Sequence, residues 1–372
     1  MKLLKPFFLD LDSSEIDTVQ VAIGDILRRG ELILGRYTSE FEEAFAEYIG
    51  CRYAIAVNSG TSALEVLLTH KGARGKKVAV PSNTNFASVA AILRAGGQPI
   101  YMDMTAEYFA PNLEILKATV NNHAVEGVVW VHVGGIIVPD FEEIAIYCRD
   151  QGLFLIEDAA HAHGSRLGGR SAGTFGDGGA FSFFPTKVMT TMEGGMITTD
   201  NEEVAYLAKS FRNQGKRDSA YGGLHYDLGN SWRISEIGAF VGLVQLKKLD
   251  QMLAKREQAV RLISTHLREL GIEFCDTSHM DRASQYKFIV RFLDPTIDDA
   301  KRELKDLGVI CGGGVYEVPC HQQPVFADLA LEGVSLDVTE AWCPRHICPP
   351  LTSGTTIEDA QQIADALEQV AG

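Results

Sequence analysis

The stretch YAIAVNSGTSAL, at residues 53–64, joins a short apolar segment to a run of small and hydroxyl-bearing residues. Its first five residues predict a buried β-strand, and a helix is predicted from Thr61 to His70. The small residues therefore lie where a strand turns into a helix. Backbone N–H groups at such a helix start bind anions, phosphate above all. An ordinary capped helix start is the alternative that this stretch alone leaves open.

The same alternation of strand and helix continues through the first two-thirds of the chain. Further apolar segments of strand length lie at 77–81, 98–102, 128–132, 153–157, near 179–183 and near 195–199. Other helices are predicted at Phe86–Ala95, Asn112–Val120 and Phe141–Asp150. Apolar strands that alternate with helices are typical of a mostly parallel sheet covered by helices on both faces. The pattern predicts an α/β fold.

The pattern changes near residue 250. One long helix is predicted from Ile234 to Leu270, because leucines recur along one of its faces. A strand at 288–292 and helices at 297–307 and 357–370 follow it. We therefore predict a large domain at 1–250, which begins with a helical arm, and a smaller α+β domain at 251–372.

The overall charge excludes one class of partner. The 372 residues include 34 Lys and Arg against 49 Asp and Glu, which gives a net charge of −15. Such a surface repels the phosphate backbone, so we expect no nucleic-acid partner. No apolar run approaches the roughly 20 residues that cross a membrane, and the N-terminus does not resemble a secretory signal. We expect a cytoplasmic protein without a membrane partner.

A group of thiols and imidazoles near the C-terminus raises the question of a metal site. Cys343, His346 and Cys348 lie close together in the sequence, downstream of Cys320 and His321. Zinc prefers such ligands, but this spacing matches no recurrent zinc motif. The neighbouring prolines are typical of a rigid connecting segment, and no metal is predicted.

Two other strand ends carry ionisable residues. Asp158 follows the strand at 153–157, and Lys187 follows the strand near 179–183 in an aromatic setting. Taken alone, Asp158 could bind a metal, a ribose or a protonated ring nitrogen. Taken alone, Lys187 could be an ordinary charged residue on the surface. Ligands of open α/β sheets bind at the carboxyl ends of strands. Together with the small residues at 58–64, the pair suits pyridoxal 5′-phosphate, which has a phosphate, a pyridinium nitrogen and an aldehyde.

At this point the chain resembles the DegT–StrS type sugar aminotransferases over nearly its whole length. The resemblance rests on five motifs in family order, at 58–64, 157–161, 181–195, 229–237 and 316–324. It implies a pyridoxal-phosphate-dependent transferase of fold type I. That fold has a central, mostly parallel, seven-stranded sheet in a large domain and a smaller C-terminal α+β domain.

The resemblance also implies roles for single residues. Lys187 forms the Schiff base with the cofactor and then carries the proton, and Asp158 keeps the ring nitrogen protonated. His161 lies near the ring hydroxyl, and Asn230 reaches the phosphate of a neighbouring subunit, which implies a homodimer with shared active sites. Gly60, Thr61 and Ser182 bind the phosphate, and Ser59 is a further candidate for cofactor binding. The candidates for substrate binding are Phe184, Tyr316 and His321, together with Arg212, a basic residue of the glycine-containing loop.

Two positions depart from the family pattern. Asn85 stands where many members carry an aromatic residue on the face of the cofactor ring, so either Asn85 or a shifted Phe86 is expected there. The segment His132-Val-Gly134-Gly135 differs from the commoner His-x-Tyr-Gly form. Both changes concern the substrate face and leave the chemistry of Lys187 and Asp158 intact.

The expected reaction is the transfer of an amino group from L-glutamate to a keto or aldehydo sugar. A nucleotide-linked keto-deoxysugar is the leading acceptor, in the biosynthesis of amino sugars for lipopolysaccharide, other glycans or antibiotics. The alternatives are an oxidised sugar acid without a nucleotide and a non-catalytic regulatory protein that binds the cofactor. A sugar dehydratase of the same fold is disfavoured, because Lys187 stands where those enzymes typically have histidine.

Overall fold

The structure, a computed structural model, describes residues 2–217, 222–292, 296–329 and 333–371. Its strands are β1 (Tyr53–Val57), β2 (Lys77–Pro81), β3 (Gln98–Met102), β4 (Gly127–Val131), β5 (Phe154–Asp158), β6 (Arg166–Leu167), β7 (Arg170–Ser171), β8 (Gly178–Ser182), β9 (Gly195–Thr199), β10 (Val290–Arg291) and β11 (His346–Ile347). Seven of them form one sheet in the order β1-β9-β8-β5-β4-β2-β3. β9 is antiparallel to both its neighbours, and the other adjacent pairs are parallel.

The predicted α/β fold is confirmed. Each of the seven predicted strands lies within one residue of its observed position. The helices are α1 (Ser13–Arg29), α2 (Arg36–Ile49), α3 (Gly60–His70), α4 (Phe86–Arg94), α5 (Leu113–His123), α6 (Phe141–Asp150), α7 (Glu202–Arg212), α8 (Glu236–Lys247), α9 (Leu249–Leu270), α10 (Ile297–Asp306), α11 (Asp337–Trp342) and α12 (Ile357–Ala371).

The strands of the large sheet are buried along nearly their whole length because helices cover the sheet on both faces. Along β4, Val128 and Trp130 belong to one buried cluster, whereas Val129 belongs to another on the opposite face. This alternation is the two-residue period of a strand. On the first face Trp130 packs against Phe141 of α6, and on the second face Leu64 of α3 is buried. Burial on both faces makes the sheet a rigid layer. The carboxyl ends of its parallel strands lie at one edge of this layer.

The single helix predicted from Ile234 to Leu270 is wrong, because the chain forms two helices that meet at Lys248. Lys248 leaves helical geometry, with φ −113° and ψ 6°. Its ammonium group binds Asp10 at 2.9 Å and Glu15 at 2.6 Å, both near the N-terminus. Lys248, at the junction of the two helices, thus forms ion pairs with residues far away in the sequence. The junction itself contains no glycine or proline that would predict a break in the helix.

The C-terminal part has a buried cluster of its own. Ile263 and Leu267 of α9 pack there with Ile363 and Leu367 of α12, and Leu4 from the N-terminal segment joins them. The strand predicted at 288–292 is shorter than expected, since only Val290–Arg291 pairs, with β11. The boundary at 250/251 stays a prediction. Among the described residues, no helix is long and apolar enough to cross a membrane.

Candidate active site

The carboxyl ends of β1, β5 and β8 surround a cavity of about 290 Å³. Most of the predicted cofactor residues line it. They are Ser59, Gly60, Thr61, Asn85, Asp158, His161, Ser182 and Lys187.

One end of this cavity is the start of α3. The Ser59 hydroxyl caps the helix by accepting a hydrogen bond from the Ser62 N–H at 3.1 Å. A Cβ added to Gly60 would lie 2.9 Å from the Ser182 Cβ, and one added to Gly195 would lie 2.3 Å from the carbonyl group of Ser59. Glycine is therefore required where β8 and β9 touch this turn. The result is a helix N-terminus with exposed donors, which suits a phosphate group.

Asp158 ends β5 and is buried in the wall of the same cavity, with 5% of its surface exposed. The Ser88 hydroxyl donates to one carboxylate oxygen at 2.7 Å, and the Ala160 N–H donates to the other at 3.2 Å. Burial raises the pKa of Asp158, although these donors and the charge of Lys187 oppose that rise. A carboxylate held in this way is poised for a positively charged partner.

Lys187 follows β8 in a turn closed by the hydrogen bond from its N–H to the Phe184 carbonyl, at 2.9 Å. Burial lowers the pKa of its amine. Its Nζ lies 4.7 Å from the centroid of the Tyr286 ring, so an aromatic wall replaces water on that side. An amine with a lowered pKa is more often unprotonated and is nucleophilic toward carbonyl groups.

Burial lowers the pKa of His161 well below its ordinary value and so favours the neutral imidazole, and Lys187 adds to that effect. The Gly134 N–H donates to its Nδ1 at 3.2 Å, so the ring proton resides on Nε2. Nε2 lies 3.2 Å from the Tyr316 hydroxyl and donates to it. The imidazole is thereby held in one tautomer beside the cavity.

A second cavity, of about 420 Å³, opens from the first. Five residues line both cavities: Asn85, His161, Phe184, Lys187 and Tyr316. The far walls come from three remote segments, namely 6–8, 312–316 and 349–352, together with Arg256, Tyr286 and Lys287. Lys187 therefore lies where the smaller cavity, which has the start of α3 at one end, meets the larger cavity.

The structure does not bring three of the predicted residues to either cavity. The Arg212 guanidinium is buried and bonds to Glu42 and, at 2.6 Å, to the Ala56 carbonyl, so substrate binding by Arg212 is not supported. His321 bonds through Nδ1 to the Ser82 hydroxyl at 2.6 Å and through Nε2 to Glu340 at 3.1 Å. Asn230 is exposed, outside both cavities, and its contact with a neighbouring subunit stays a prediction.

The wall of both cavities carries Asn85 and not Phe86. Asn85 caps α4 by accepting from the Ala87 N–H at 3.0 Å, and it lines both cavities. Phe86 points elsewhere and stacks on Phe326, with the ring centroids 5.5 Å apart. Of the two alternatives for this position, the geometry favours Asn85.

Sequence reasoning missed four residues of the site. Ser88 bonds to Asp158, while Tyr286, Arg256 and Lys287 line the larger cavity. None of them belongs to a strand end or to a recognisable motif. Ser88 alone had a local signal, because it lies one helical turn into a helix that follows a strand end.

The sequence matches the model of the DegT/DnrJ/EryC1/StrS aminotransferase family over residues 13–368. The chain belongs to this family. It is 33% identical over 343 residues to the GDP-perosamine synthase of Caulobacter vibrioides, with 91% of each protein covered. It is 29% identical to the dTDP-3-amino-3,4,6-trideoxy-alpha-D-glucose transaminase of Micromonospora megalomicea, with 98% and 97% covered. The solved structure of S. venezuelae DesV has a TM-score of 0.91 at 27% identity, covering 100% and 99%.

The chain is thus an aminotransferase of fold type I, and its cofactor is pyridoxal 5′-phosphate. The residues present fit that group. The donors at the start of α3 suit its phosphate, buried Asp158 suits its ring nitrogen, and Lys187 suits its aldehyde. When bound, the cofactor supplies an electron sink for breaking and making bonds at the carbon that carries the amine.

Proposed function

We propose that this aminotransferase moves an amino group from L-glutamate to the keto group of a nucleotide-linked deoxysugar, as a step in amino-sugar biosynthesis. One observation carries the proposal: the amine of Lys187 lies at the junction of the cofactor-sized cavity and a larger cavity of about 420 Å³. The larger space lies within the usual range of small-molecule pockets and accepts a sugar ring beside the reacting amine.

The residues around the junction have distinct tasks. The Lys187 amine takes up the proton at the reacting carbon in its unprotonated form and then delivers it, and burial favours the unprotonated form by lowering the pKa of the amine. Asp158 stabilises positive charge at the ring nitrogen, while Ser88 holds the carboxylate in place. The helix N-terminus at Gly60 and Thr61 anchors the phosphate. Tyr286 shields the lysine from water.

The relatives support a nucleotide-linked acceptor. The two curated relatives are named for GDP- and dTDP-linked amino sugars. The larger cavity is bordered by Phe7 and Phe8, whose side chains are about half exposed. We propose that the sugar occupies the cavity and that the nucleotide extends past this border toward solvent. An oxidised sugar acid without a nucleotide is the alternative acceptor.

We further propose that two copies of the chain share their active sites, in the cytoplasm. Asn230 is exposed in the segment between α7 and α8, and this exposure supports a contact with an adjacent copy. Nearby Leu224 and Leu228 are 71% and 97% exposed, which is unusual for leucine and suits a covered interface. In this arrangement Asn230 of each copy would bind the phosphate held by the other.

The test begins with the purified protein loaded with cofactor. It should be yellow, and addition of L-glutamate should bleach the colour and release 2-oxoglutarate in equal amount. Candidate nucleotide-linked keto sugars and keto sugar acids are then supplied, and the aminated product is identified by mass spectrometry. Lys187→Ala should abolish turnover, while the exposed control Lys209→Ala should leave it unchanged. Cofactor binding without 2-oxoglutarate release would instead support a regulatory protein.

A further inference from the structure

The charge of the larger cavity is one-sided. Among the described residues that line it, Lys187, Arg256 and Lys287 have basic side chains, and none is an aspartate or a glutamate. The whole chain carries a net charge of −15, so this surface differs from the rest of the molecule. Lys187 has its role with the cofactor, and the other two cations are left without one.

Arg256 is a buried cation that faces no carboxylate on the cavity wall. Only 5% of its surface is exposed, and its Nη1 donates to the carbonyls of Gln285 and Leu351 at 3.0 and 2.9 Å. Its Nε is buried and has no acceptor among the described residues. An acid in electrostatic range, Asp10, already binds Lys248. Burying a charge without a counter-charge is costly, so the site favours an anionic ligand.

Lys287 and Lys187 approach the same aromatic ring, and Arg256 lines the same cavity. The Nζ atoms of Lys287 and Lys187 lie 5.6 and 4.7 Å from the centroid of Tyr286. Burial alone would raise the pKa of the Tyr286 phenol, yet its pKa is lowered, because the charges of Lys187, Lys287 and Arg256 act on it together. Lys287 is therefore within the length of a small substrate from the Lys187 amine, and Arg256 shares the cavity with both.

We infer that Arg256 and Lys287 bind a carboxylate of the amino donor and so orient its amine toward Lys187. The inference rests on the proposed function, because it presupposes a carboxylate-bearing donor. A carboxylate is compact and ends the ligand, which suits a buried guanidinium whose neighbours are Leu351 and Thr352. A diphosphate is bulkier and continues into a nucleoside, so it suits the exposed border at Phe7 and Phe8.

The test uses glutarate, a dicarboxylate that has no amine to transfer, with the cofactor-loaded enzyme. Calorimetric titration should show that Lys287→Gln weakens the Kd of glutarate by about tenfold or more, as expected when a hydrogen bond between charged groups is lost. Arg256→Gln should do the same. The control is Arg261→Gln on the same helix, whose side chain is 77% exposed and pairs with Glu257; it should bind as the wild type does.

Separate half-reactions assign the anion. Lys287→Gln should raise the KM for L-glutamate in the bleaching step more than the KM for the acceptor sugar in the return step. An equal or larger effect on the acceptor overturns the assignment to the donor. Wild-type affinity for glutarate in Lys287→Gln overturns the site itself, whatever Arg256→Gln does to folding. Failure of the wild type to bleach with L-glutamate refutes the proposed function instead, so the two failures are distinguishable.

Discussion

The contact between Gly195 and the turn that follows β1 offers a sharp test of how the cofactor site is built. The first residue of β9, Gly195, pairs with both Val57 of β1 and Ser182 of β8. A Cβ at this position would lie 2.3 Å from the carbonyl carbon and oxygen of Ser59 and 2.7 Å from the Gly60 nitrogen. Gly195→Ala thus drives a methyl group into the backbone of the proposed phosphate site.

The geometry sets the size of the effect. Ordinary contacts begin at 3.4 Å, so the turn must move by about 1 Å, and overpacking of this kind costs about 1–3 kcal/mol. If the turn takes up the strain, the conformation that binds phosphate is disfavoured by that amount, which weakens the cofactor Kd by about 5- to 150-fold. Absorbance titration of the cofactor-free protein with pyridoxal phosphate measures the Kd, and urea unfolding measures the free energy of unfolding.

Gly313→Ala is the matched control for this substitution. A Cβ at Gly313 meets no atom within 4 Å, so both the cofactor Kd and the free energy of unfolding should stay at wild-type values. A wild-type cofactor Kd in Gly195→Ala would refute the reasoning. A loss of stability without any loss of affinity would also contradict it, since the strain would then be absorbed away from the phosphate turn.

Three further predictions concern single contacts. Ser88→Ala removes the 2.7 Å hydrogen bond to Asp158, and it should weaken the cofactor Kd by about tenfold without unfolding the protein, as measured by absorbance titration. Burial lowers the pKa of Lys187 from 10.5, so the Lys187 amine keeps its proton up to a higher pH in the unfolded chain than in the folded protein. The free energy of unfolding of the cofactor-free protein should therefore rise as the pH increases toward 10.5. Comparing urea unfolding of the wild type and Lys187→Met across that range isolates the effect, and parallel curves would contradict it. Lys248→Met breaks two ion pairs with the N-terminal segment and should lower the free energy of unfolding by about 1.5–3 kcal/mol. Lys247 is exposed, so Lys247→Met should leave the free energy of unfolding unchanged. Equal stability of the two variants would contradict our explanation of the helix junction.

The central sheet and half of the candidate site were predictable from local patterns. Each strand is apolar on both faces because helices cover both, and such runs are visible in the sequence without knowledge of their partners. Residues that follow strands, such as Asp158 and Lys187, meet at one edge because parallel strands end there. The small residues at 59–61 were predictable for the same reason.

Other predictions failed where distant segments decide the outcome. The two helices on either side of Lys248 were predicted as one, because the residues that bind Lys248 lie more than 230 positions away. Arg212 is the last residue of α7 and lies beside a glycine-containing loop, which favoured it as a candidate for ligand binding. Its guanidinium instead binds Glu42 of α2. No property of residues 202–217 alone indicates that contact.

The sequence by itself determined the α/β class, the positions of the strands and the residues at their carboxyl ends. These features depend on hydrophobic periodicity and on the direction of neighbouring strands, which are local properties. Only the tertiary structure decided which cations face the larger cavity. Arg256 and Lys287 line this cavity with Lys187 because Arg256 of α9 donates to the Gln285 carbonyl and the Lys287 N–H donates to the Gly134 carbonyl. Such packing depends on contacts between residues far apart in the chain.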